Sequence, residues 1–145
     1  MDKGAHFYRC DFQVHSPRDR NWTGNKFGVN QGDLDTLTPE LKKQITDDRI
    51  QFSKEYLEKI RNAGLNAVAI TDHHDVVSAK LIRKVAEDEN QTFIASSQFD
   101  RVVKIFPGIE LSLSNPASQC MIIFDSDFSD SNLDSVLNLG SRLVK

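Results

Sequence analysis

Two adjacent imidazoles, His73 and His74, sit between two carboxylates, Asp72 and Asp75, in AITDHHDV (residues 69–76). They directly follow a run of small apolar residues of buried-strand type. Burying two imidazoles at a strand end without partners is costly, so the arrangement points to metal coordination, with the other ligands supplied from elsewhere in the chain. The donors available are Gln13 and His15, then Glu110 just past Pro107-Gly108, and Cys120 in a segment running to Asp125. Imidazole suits zinc and iron, carboxylate suits manganese, and a thiolate can bind zinc. A mixed His/carboxylate set around more than one ion suits phosphoryl hydrolysis. One ion activates water while a neighbour neutralises charge on the phosphoryl oxygens. Asp72 or Asp75 is then expected to orient His73 and fix its tautomer.

Each of these residues also has an ordinary role open to it. Asp75 is suited to cap a helix starting at Val76 or Val77. Glu110 could face outward on an edge strand, and Cys120 and Cys10 could be small buried hydrophobes. Asp19, between Arg18 and Arg20, could join an exposed salt bridge, and His6 reads as a solvated surface group. The spacings are weak signals one by one; their agreement is what carries weight.

The elements that must position these groups follow from pattern. YRCDFQV (8–14) reads as a short strand. Residues 16–37 form a long loop with three glycines, a length that is uncommon without a function. Thr38-Pro39 starts a helix with a hydroxyl cap and a first-turn proline. Leu41, Ile45, Phe52, Tyr56 and Ile60 recur at helical spacing with a break near Asp47–Arg49, and Gly64 terminates the run. NAVAIT (66–71) is a buried strand. Residues 77–89 form a second helix with Val77, Leu81, Ile82 and Val85 inward. Residues 101–113 read as a strand interrupted at Pro107-Gly108, residues 119–124 as another strand, and Asn132–Leu139 as a closing helix. Strands alternating with helices predict an α/β fold on a mainly parallel sheet, and ligands of such folds gather at the carboxyl ends of strands.

The 145 residues are one domain by length, residues 1–145, and short for a complete α/β barrel of about 250 residues. The net charge of −3, from 18 basic and 21 acidic residues, gives neither a nucleic-acid footprint nor a polybasic membrane patch. A nucleic-acid substrate would be held by local charge, by metal or by another domain. No apolar run approaches the ~18 residues of a membrane span, and the first residues lack a signal-peptide core. Two cysteines make no disulfide framework, so a reducing, cytoplasmic compartment is expected.

DFQVHS (11–16), AITDHHDV (69–76) and FPGIELS (106–112) resemble, in order and spacing, the first three blocks of the PHP (polymerase and histidinol phosphatase) domain. VHSPRDRNW looks most like the subgroup in which this domain precedes an SMC-like or AAA-like ATPase, an implied domain or subunit partner. The resemblance implies a PHP-type distorted (β/α)7 barrel, of which the chain is expected to hold the N-terminal part. It also implies two or three divalent ions (zinc, manganese or iron) at the carboxyl rim. By position, His15 matches the second histidine of the family's His-x-His, His73 the histidine of the second block, and Glu110 a ligand of the third. Asp19 lies close to a further ligand; His74 or Asp19 could complete the shell or contact phosphate, and Asp72 is a further metal-ligand candidate. Gln13 stands where the first histidine of the motif is usual, and a glutamine oxygen is the poorer ligand. Cys120 stands near the next histidine. The last block, Asp-x-His, is absent: either it lies beyond residue 145, which fits the missing barrel strands, or the site is incomplete.

The leading expectation is a metal-dependent phosphoesterase acting on DNA, RNA or a nucleotide through metal-activated water, with His15, His73 and Glu110 as catalytic ligands. Arg18, Arg20 and Trp22, on the long loop, could clamp phosphate and stack on a base. A degenerate, non-catalytic module with a structural or regulatory role is the alternative. A metallohydrolase cutting a carbon–nitrogen bond is a third reading.

Overall fold

A computed structural model of the protein describes residues 7–24, 34–114 and 116–143. His6 and the stretch 25–33 of the long loop lie outside the described residues. Helix α1 (Pro39–Asn62) starts as its sequence requires. Thr38 is extended, its hydroxyl accepts from the Leu41 N–H at 3.4 Å, and Pro39 occupies the first turn. The helix closes at Gly64, whose φ is +70°. The N–H groups of Gly64 and Leu65 return to the carbonyls of Arg61 at 2.8 Å and Ile60 at 3.2 Å, the pairing that a left-handed residue after a helix permits. The buried stripe is Ile45, Arg49, Ser53, Leu57 and Ile60, not the purely apolar series expected, and Leu41 is exposed. Arg49 and Ser53 occupy the inward i+4 positions, so an apolar count skips them.

The sheet has the order β1 (Cys10–Val14), β2 (Ala67–Ile70), β3 (Lys104–Ser114), β4 (Ala117–Ile123). The first two pairings are parallel and the third antiparallel. The antiparallel step is forced by length: only residues 115 and 116 join β3 to β4, whereas a parallel crossover needs a dozen or more. The four strands curl into a half-barrel beside three helices.

The expected interruption at Pro107-Gly108 does not occur; β3 runs through it. Its first half pairs with β2 as far as Ile70↔Pro107, and from Gly108↔Ile123 onward it pairs with β4. The proline carbonyl still accepts from the Phe124 N–H at 2.9 Å. Glycine is required at the changeover. A Cβ there would lie 2.8 Å from Thr71 Cγ2 and 3.0 Å from the Ile122 carbonyl oxygen.

Helix α2 (Val77–Ala95) is longer than residues 77–89. The Asn90 side chain anchors its extension: its Nδ2 donates to the Val103 carbonyl at 2.8 Å and its Oδ1 accepts from the Val103 N–H at 3.1 Å. One core joins Leu57 and Ile60 of α1, Val68 and Ile70 of β2, Ile82 and Val85 of α2, and Ile105 of β3. A second, under α3 (Asp130–Leu143), joins Val76, Ile109, Leu111 and Leu133. Together they hold the carboxyl ends of β1 and β2 against the middle of β3.

Candidate metal centre

The register Val14↔Ile70 carries the residues just past β1 and β2 to the same end of the sheet, and β3 continues alongside. The Glu110 N–H donates to the Asp72 carbonyl at 3.2 Å, and the His74 N–H to the Glu110 carbonyl at 3.1 Å. His73 is thereby bridged to Glu110. From the first strand, the Tyr56 hydroxyl of α1 donates to the His15 carbonyl at 2.7 Å. The turn after β1 is fixed by Ser16, whose N–H and hydroxyl both donate to the Asp72 carboxylate at 2.6 and 2.5 Å.

The His15 and His73 rings stack with centroids 5.3 Å apart. Their Nδ1 edges face Asp19, which is 1 % exposed: Asp19 Oδ2 lies 2.8 Å from His73 Nδ1 and 3.1 Å from His15 Nδ1. Asp19 also accepts the backbone N–H groups of His73 at 2.8 Å and Asn21 at 2.7 Å. Burial pushes the Asp19 pKa up, but the bonds from His73 and Asn21 outweigh it and hold the carboxyl below its ordinary value. An ionised Asp19 only accepts, so the network assigns the proton of His73 to Nδ1. The lone pair is then on Nε2, which lies 3.4 Å from Glu110 Oε1 and 3.3 Å from the Gln119 amide nitrogen. His15 Nε2 lies 3.6 Å from the other Glu110 oxygen.

His15, Asp19 and His73 offer ligand atoms that all lie within 4.8 Å of one another and could hold a metal ion. The chemistry of the donors fits one. His15 Nδ1 is buried yet has no aligned hydrogen-bond partner. Two ligand atoms each about 2.1 Å from a tetrahedral ion lie about 3.4 Å apart, and the Nε2–Glu110 separations of 3.4 and 3.6 Å match that spacing. The 2.8 Å between His73 Nδ1 and Asp19 is a hydrogen-bond length, which suits a carboxylate orienting an imidazole.

Other expected ligands are placed differently. Gln13 reaches Glu110 with its amide nitrogen, 3.4 Å from Oε2, rather than with its oxygen. Asp72 is committed to Ser16, with its Oδ1 4.0 Å from His15 Nδ1. Burial is the largest influence on Asp72 and raises it to about 6; the Ser16 bonds work against the rise, and the neighbouring Asp75 and Asp19 add to it. His74 takes a positive φ of 53°, and its Nε2 accepts from the Ser112 N–H at 3.2 Å, which makes it a clip between β2 and β3. Burial, with the charge of Arg20, holds its pKa below the ordinary value. Cys120 is exposed and opposes Leu111. Side chains alternate along a strand, so it lies on the face away from Glu110, and its neighbour Gln119 reaches His73 instead. Asp19, not Asp72 or Asp75, orients His73. Asp75 Oδ1 accepts from the Val77 N–H at 2.7 Å at the start of α2, and the carboxylate takes a two-point contact from Arg18.

Sequence reasoning passed over Gln119, Ser16, Ser112 and Tyr56. Ser16 sits inside the quoted DFQVHS block. Gln119 is out of reach of such reasoning until the β3–β4 register, Ser112↔Gln119, is known.

The fold and the cluster define a class: a mixed α/β domain with a buried imidazole–carboxylate group at the carboxyl end of its parallel strands. No protein family, curated protein or solved structure matches the chain. Among the described residues no helix is long and apolar enough to cross a membrane.

Proposed function

We propose that this chain carries the metal centre of a PHP-type, metal-dependent phosphoesterase acting on a nucleic acid or nucleotide. The observation that carries the reading is the stacked His15–His73 pair, whose Nε2 atoms lie 3.6 and 3.4 Å from the two oxygens of Glu110. The resemblance of the three sequence blocks to the PHP domain supports it. His15, His73 and Glu110 are the ligands, Gln119 borders the same space, and Asp19 fixes the imidazoles. Divalent zinc, manganese or iron there would activate water and neutralise phosphoryl charge. The chain's own contribution is to hold both Nε2 atoms and the Glu110 carboxylate convergent before any ion arrives. Asp19 holds the His73 ring through Nδ1, and the Tyr56 and Ser16 bonds fix the backbone behind the two rings. A cytoplasmic setting, a barrel completed by further strands and an ATPase partner belong to the same proposal; two free cysteines support the first.

The test is metal analysis of purified protein together with hydrolysis of bis-p-nitrophenyl phosphate in added manganese. Stoichiometric metal and metal-dependent turnover are expected. Little metal and no turnover would leave a non-catalytic module, the reading favoured by the amide nitrogen of Gln13 on Glu110 where the family places an imidazole. Stoichiometric metal without turnover would keep the metal centre and remove the phosphoesterase.

A further inference from the structure

The two arginines of the loop after β1 have different fates. Arg18 is 11 % exposed and spends its guanidinium on Asp75, with Nε 3.0 Å and Nη2 2.5 Å from Oδ2. Arg20 is exposed, and among the described residues no carboxylate pairs with it; its Nη2 donates to the Ser112 hydroxyl at 2.5 Å. Ser112 lies on β3 two residues past Glu110, hence on the same face and one step of about 7 Å further along. Its ladder partner is Gln119, the residue whose amide lies 3.3 Å from His73 Nε2. A cationic fork with five donors, one of them taken by a serine, is therefore held at the rim of a cluster whose carboxylates, Asp19 and Glu110, lie beside two imidazoles.

We infer that Arg20, steered by Ser112, is the residue that binds the phosphoryl oxygens of the substrate at this centre, while Arg18 has a structural role only. The inference rests on the metal-centre reading above and deepens it: the ligand must carry an anionic group able to accept a two-point contact. The acids of the cluster exclude such an anion unless bound cations and Arg20 offset them. The planar fork matches phosphate geometry in a way an ammonium does not.

The experiment is titration of manganese-loaded protein with inorganic phosphate by calorimetry, for wild type, Arg20→Gln and Arg20→Lys, with manganese content and melting temperature recorded for each. Arg20→Gln is expected to weaken phosphate binding about tenfold or more, with Arg20→Lys intermediate and manganese content and melting temperature unchanged. Manganese-loaded Arg20→Gln that binds phosphate as tightly as wild type would overturn the assignment and leave the metal centre standing. Loaded wild type that binds no phosphate would overturn it as well. A wild type that takes up no manganese would remove the metal-centre reading, and this inference with it.

Discussion

The two ends of the parallel strands each concentrate charge, and they differ in balance. At the amino end, Arg61 from the last turn of α1 and Arg101 before β3 both lie over the Phe93 ring, at 4.7 and 4.8 Å. Glu89 is 2.8 Å from Arg61, and Glu58 is 2.6 Å from Arg101. Two guanidiniums meet two carboxylates, and the Arg61 Nε also donates to the Arg101 carbonyl at 3.0 Å. At the carboxyl end, three carboxylates, Asp19, Asp72 and Glu110, are buried around two imidazoles. Acceptors outnumber fixed cations there. The amino-end charges are balanced and partly solvated, with Glu89 25 % and Glu58 46 % exposed; a buried excess of one sign is instead what makes the carboxyl end the candidate for recruiting a cation.

The comparison breaks most sharply on His73. His73→Ala should abolish metal-dependent turnover and most metal uptake, and Asp19→Asn should weaken metal affinity by about 10- to 100-fold while the ligands remain. Metal content and a metal titration measure both, and an Asp19→Asn protein with wild-type affinity would remove its orienting role.

At the other end the effect should be on stability alone. Arg61→Ala breaks a partly solvated pair, Arg61 being 6 % and Glu89 25 % exposed, and should cost about 1–2 kcal/mol in urea unfolding, with metal content unchanged. A loss of metal in that variant would mean the two ends are not independent.

The smallest effect concerns pH. The folded chain holds the Asp72 proton more tightly than the unfolded one, because burial raises its carboxyl to about 6. Its stabilising contribution is complete below about pH 4 and is lost as pH rises through about 6. In metal-free protein, Asp72→Asn should therefore gain stability relative to wild type across that window, as read from paired thermal melts. A difference independent of pH would show that Asp72 is ionised throughout.

Much of this asymmetry was legible in the sequence. The caps of α1, the buried β2 and the convergence of positions 15, 73 and 110 follow from residue type and strand–helix alternation, whereas Asp19 enters only through the family resemblance. What escaped depended on pairing between distant segments. Whether Cys120 or Gln119 faces the cluster is a question of parity, and parity is set by a two-residue connection and by the partner change in β3. The parts played by Asp19 and Asp72 could not be separated either, since both are aspartates near a histidine; only distances show that one touches imidazole and the other a serine. Arg49 was missed as an inward residue because its position, not its chemistry, puts it there.

The partner change at Gly108 has a consequence for how this protein could fail. Glu110 lies two residues past the point where three strands come within touching distance, so the carboxylate inherits whatever strain arises at that seam. A single added methyl group there would press on the Thr71 methyl and the Ile122 carbonyl and shift the upper half of β3. Such a lesion would leave every donor atom in the chain and yet mimic the removal of one, so Gly108→Ala should lose metal uptake much as His73→Ala does.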